Sequence, residues 1–100
     1  MIKHVVMWKL KEEAEGKTAL ENMEWIRDHL YALDGVISQL RSIQIGFDVT
    51  HAAGSYDLVL ITEFDNTTDM KTYNDHPEHQ KVVQFIRKVV DSRIACDFEE

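Results

Sequence analysis

The sequence predicts an α+β chain in the order β-α-β-β-α-β, and three observations carry that prediction. Ile2–Leu10 alternates, with Ile2, His4, Val6, Trp8 and Leu10 on one face and Lys3, Val5, Met7 and Lys9 on the other, which is the period of a strand. Leu20, Met23, Ile26, Leu30 and Leu33 then recur at helical spacing. The pattern reverts to strands over Val36–Val49 and Tyr56–Phe64, passes through a second helical region, and closes on Ile94, Cys96 and Phe98 alternating with Arg93, Ala95 and Asp97. This order is the split βαβ, ferredoxin-like arrangement: one antiparallel sheet with helices on one face.

Each element has local support. Both faces of the first strand carry apolar residues, so both are expected to be partly covered. Lys11–Lys17 is charged, contains Gly16, and reads as a solvated connection or a frayed first turn. Thr18 with Glu21 matches a capping box, and Gly35 suits a left-handed residue at the far end of the helix. Trp25 and His29 lie four apart on a flank of that helix, so His29 reads as a surface residue. Along the weaker second strand, Arg41, Ile43, Ile45 and Phe47 form the apolar face. Asp48–Ser55, with Gly54 and a solvated His51, reads as a loop. Leu58–Ile61 is continuously apolar, as suits a central strand. Asp65-Asn66-Thr67-Thr68 starts the second helical region.

That region is interrupted at YNDHPEHQKVV, Tyr73 to Val83. Proline disfavours the α region for the residue before it but fits the first turn of a helix. A short helix is therefore expected to end near Asp75, with a break at His76 and a new helix from Pro77. Met70 and Tyr73 share a face of the first piece. Val82, Val83, Phe85, Ile86, Val89 and Val90 form the stripe of the second, whose β-branched content means packing must hold it.

One hundred residues make one domain. The net charge of −7, with no clustered basic stripe, argues against nucleic acid and against an anionic membrane surface. No apolar run reaches the length of a membrane span, and Lys3, His4 and Lys9 interrupt the N-terminus where a signal peptide would be apolar. A single cysteine, Cys96, permits no internal disulfide, so a cytoplasmic location is expected. There is no phosphate-cradling glycine loop and no nucleophile elbow.

The opening HVVMWKLK, the strand YDLVLITEF, the turn YNDHPEHQ and the closing CDFE, in this order and over essentially the whole chain, resemble the stress-responsive α/β barrel (Dabb) domain family. The resemblance implies a ferredoxin-like subunit whose sheet packs on that of a second copy, a dimeric α+β barrel. The family's functions are mixed. Many bacterial members have no assigned activity, some plant members are stress-induced, and at least one is a polyketide cyclase. In the cyclase, a histidine on the first strand and one before the proline of the turn act on substrate with tyrosines nearby. The matching positions are His4 and His76, with Tyr73 three residues earlier. A further histidine of the cyclase falls at Leu58 here, and a first-helix tyrosine falls near Trp25 or Ile26, so part of that site is missing.

Each candidate also has a structural reading. His4 can be a histidine satisfied by a neighbour. His76 can cap the helix, with His79 exposed; Asp75 and Glu78 beside the helix start complement its dipole. His76 and His79 supply too few ligands for zinc, and neither a metal nor another cofactor is expected. Cys96 reads as a small buried hydrophobe. Two accounts follow. One is a homodimer with a pocket between sheet and helices for a small hydrophobic or aromatic ligand, where His4 and His76 exchange protons and Tyr73 donates a hydrogen bond. The other is a homodimer without chemistry, in which these residues only close the fold.

Overall fold

The computed structural model describes residues 1–100. It contains β1 (Ile2–Leu10), β2 (Glu13–Ala14), β3 (Lys17–Thr18), α1 (Ala19–Tyr31), β4 (Ser42–Phe47), β5 (Leu58–Phe64), α2 (Thr67–Asp75), α3 (Pro77–Val89) and β6 (Val90–Glu99). The main sheet runs β4-β5-β1-β6 with every neighbouring pair antiparallel. It is the expected ferredoxin-like arrangement, with β1 and β5 at the centre.

Alternation decides which face is covered. Ile2, His4, Val6, Trp8 and Leu10 of β1 and Leu58, Leu60, Thr62 and Phe64 of β5 are buried. They share the core with Met23, Ile26 and Leu30 of α1 and with Val82, Ile86 and Val89 of α3. The intervening residues Val5, Met7, Val59 and Ile61 are only half-buried, because no helix covers that side.

The local signals predict the helix starts well, whereas Gly35, expected to cap the far end of α1, lies in a turn beyond the actual C-cap, Ala32. Thr18 caps α1 through a complete capping box with Glu21. Asn66 caps α2 by accepting from the Asp69 N–H at 2.8 Å. His76 takes an extended conformation, φ −62° and ψ 134°, and Pro77 opens α3.

Four details differ from the expectation. Lys11–Lys17 is no loose connection: β2 and β3 form a small hairpin whose turn residues Glu15 and Gly16 both have positive φ, 54° and 75°. That conformation matches the twist of two paired strands. Helix α1 stops at Tyr31, two residues short of Leu33. The strand expected from Val36 begins only at Ser42. Between them consecutive turns, including Ile37 N–H to Leu33 O at 3.1 Å, bury Leu33, Ile37 and Leu40, so apolar residues that read as a strand are core plugs in a turn region. Finally, Cys96 is exposed rather than buried, because it lies on the uncovered side of the edge strand β6.

Candidate functional site

A cavity of about 410 Å³ opens between the helix-covered face of the sheet and α3. Its apolar wall comes from Val6, Trp8, Leu30, Leu60, Val83, Ile86 and Val90, and its polar groups are His4, Asn74, His79, Gln80, Arg87 and Arg93. The volume lies within the usual range for small-molecule sites, about 300–1,000 Å³.

His4 reaches this cavity because it shares a strand face with Val6 and Trp8. Its register partner on β6 is Asp97, and directly opposed residues present their side chains on the same face. The imidazole Nδ1 accordingly hydrogen-bonds the Asp97 carboxylate. An ionised carboxylate only accepts, so Nδ1 carries the proton and Nε2 is left with its lone pair.

His79 arrives from the other wall. It is the third residue of α3, and helical side chains lean toward the N-terminus, so its ring turns back over the break between α2 and α3. Helix ends leave carbonyls without partners. The Asn74 carbonyl, near the end of α2, takes the His79 Nδ1–H at 3.0 Å and also accepts from the Gln80 side chain. A carbonyl cannot donate, so His79 too keeps Nε2 as its free nitrogen. Burial is the main cause that lowers the His79 pKa below the ordinary histidine value. The Asn74 bond opposes this, while Arg93, and His4 and His76 in their protonated forms, add to it.

His76 and Tyr73 are placed differently from the expectation that they line one pocket with His4. The Nδ1 of His76 accepts from the Glu78 N–H at 3.1 Å, so the ring caps α3, and the residue does not border the cavity. Tyr73 also stands behind the wall. It is fully buried, with its ring 4.4 Å from that of His79 and 5.1 Å from that of Phe64. Its hydroxyl has no partner in the chain, and burial raises its pKa well above the ordinary phenol value, so it stays protonated. His79, read from sequence as exposed, is half-buried. The signal that points to it is its spacing: two residues past Pro77, it lies in the first turn of a helix, from where a side chain faces back across the break. Asp97 has no such signal, since alternation gives its face but not the strand it pairs with. His29 and His51 are surface residues, His29 stacked on Trp25 with ring centroids 3.6 Å apart.

A two-layer α+β subunit with a bare sheet face and a pocket under its second helical region is the class this geometry defines. Residues 2–100 match the family described as the Stress responsive A/B Barrel Domain, Dabb. The chain belongs to that family. It is 30% identical to the uncharacterized protein SCO4036 of Streptomyces coelicolor, over 99% of each sequence. Among solved structures it is similar to a dimeric protein of unknown function and ferredoxin-like fold from Bacteroides fragilis, with a TM-score of 0.88, 30% identity, and coverage of 99% of this chain and 95% of that one. A dimeric ferredoxin-like protein of unknown function from Thermobifida fusca matches with a TM-score of 0.82 and 26% identity, over 97% of this chain and 88% of that one. No helix is long and apolar enough to cross a membrane.

Proposed function

We propose that the chain works as a homodimer in which each subunit binds a small, largely apolar or aromatic molecule and moves a proton on it. The observation that carries this reading is the pair of imidazoles, His4 and His79, on one cavity with Nδ1 of each engaged by the protein. His79 takes the part that the resemblance assigns to His76.

His4 is assigned as the base, because its Nε2 is free while the Asp97 carboxylate beside Nδ1 can hold the imidazolium that forms. Beside a carbonyl, that proton leaves carbon, the C–H electron pair moves into the new C–C double bond, and the carbonyl oxygen takes the negative charge. Asn74 also borders the cavity, and its side-chain amide is a neutral donor suited to that oxygen. Tyr73 positions the His79 ring by packing against it. This chemistry fits enolisation, isomerisation or an aldol-type ring closure. The dimer reading rests on the bare sheet face and on the two similar proteins described as dimeric. The cytoplasmic assignment rests on the lone free thiol, Cys96.

A second reading, in which the His4–Asp97 pair only ties β1 to β6, is favoured by their cross-strand register. Deuterium exchange at the α-carbon of an aryl ketone such as propiophenone separates the two. The proposal expects faster exchange with protein present, and a loss of about 100-fold in His4→Gln and in Asp97→Asn. Binding without any acceleration would leave only the non-enzymatic reading.

A further inference from the structure

We propose that the molecule taken by this cavity is an amphipathic organic anion, its oxyanion held by Arg87 and Arg93 and its body laid along the apolar wall. The inference rests on the small-molecule reading above and names the class of ligand.

The chain is strongly acidic, with 18 Asp and Glu against 11 Lys and Arg, yet no Asp or Glu borders the cavity while two arginines and two histidines do. The Asp97 carboxylate, opposite His4 on β6, is already engaged by it. A low-dielectric cleft lined by one sign of charge concentrates ions of the other sign.

Arg27 pairs with Asp28, and Arg41 makes two hydrogen bonds to Asp65. The remaining two, Arg87 and Arg93, form no ion pair within the chain. A guanidinium presents a planar fork of donors suited to carboxylate or phosphate oxygens.

Arg93 is the register partner of Trp8, as Asp97 is of His4 and Ala95 is of Val6. All three β6 residues therefore lie on the helix-covered face, with the small Ala95 between the charged ends. Arg87 borders the same cavity from the last turn of α3. An edge-strand charge that only guards against strand pairing would serve equally on the outer face, and Lys88 already complements the α3 dipole. Neither structural role accounts for both guanidiniums bordering one cavity. His4 and Trp8 are four residues apart, about 13 Å of strand, so an elongated ligand would set its oxyanion near Trp8 and its reacting carbon near His4.

Carboxylate and phosphate share the required chemistry, so the test includes both. The full-length protein is titrated with 3-benzoylpropanoate, with its primary amide, and with 3-phenylpropyl phosphate, and backbone amide signals are followed by NMR. The same titrations use Arg87→Gln, Arg93→Gln and the double variant. Both arginines are exposed, and an unchanged spectrum outside the cavity verifies the fold. The expected result is carboxylate binding about tenfold tighter than that of the amide, as for a charged hydrogen bond, with the preference abolished in the double variant and the affinity for the amide unchanged. Whichever anion binds more tightly identifies the head group. Equal binding of benzoylpropanoate and its amide, both shifting cavity signals, would overturn the anion proposal while leaving the pocket reading intact. No cavity signal moving with any probe would overturn both.

Discussion

Tyr73 and His79 show how one buried contact couples stability to the site. The Tyr73 hydroxyl is a buried donor without a partner, which typically costs about 1–3 kcal/mol. Tyr73→Phe keeps the ring packing on Phe64 and His79 and removes that cost. It should raise stability by about 1 kcal/mol in a denaturant melt, whereas loss of stability would mean that the hydroxyl is satisfied in solution. His79 carries a pH signature. Its folded pKa lies below the unfolded value of about 6.5, so the unfolded chain binds more protons in the window between the two. The contribution of His79 is therefore complete above about pH 6.5 and is lost as pH falls through the lowered folded value. Melts between pH 5 and 8 should show this slope in the wild type and a flatter one in His79→Gln; identical slopes would contradict the burial of the ring. Sequence alone identifies His4 as a residue at odds with its apolar strand face. It cannot choose between His76 and His79, because that choice turns on which ring caps the helix and which meets the Asn74 carbonyl of another helix.

Helix starts are the most readable part of the elements. Thr18 with Glu21, Asn66, and His76 before Pro77 all act through contacts within four residues, so the information is local. Thr18→Ala should cost about 1 kcal/mol, measured by chemical denaturation. Gly35 has φ +81° with nothing within 4 Å of an added Cβ. Gly35→Val should thus be destabilising through backbone strain alone, by about 1–2 kcal/mol, and a neutral result would show that the turn rearranges freely. The region after α1 was unreadable for a physical reason. Leu33, Ile37 and Leu40 are buried one after another through turns, and buried turns carry no period. The Glu15-Gly16 hairpin leaves no pattern in the sequence because its strands are two residues each, too short for alternation to show.

The molecule as a whole leaves one sheet face open. Half-buried Val5, Met7, Val59 and Ile61 continue onto β6 as Ile94 and Phe98, which are 46% and 43% exposed. Such a contiguous apolar surface marks an interaction site, and sheet-to-sheet packing with a second copy would cover it. Sedimentation at micromolar concentration should give a dimer with a melting temperature that rises with protein concentration. Ile61→Lys, at the centre of that face, should shift the protein toward monomer without touching the cavity on the opposite face. On the proposed reading the two sides of the sheet divide the work: the outer face for association, the inner face for a ligand held between His4 and His79. The measurement that bears on this division is an NMR titration of the histidine ring signals with propiophenone. The His4 and His79 resonances should move together with one binding constant, while those of His29, His51 and His76 stay fixed. Movement of His76 without His79, or of outer-face residues in place of either cavity histidine, would contradict it.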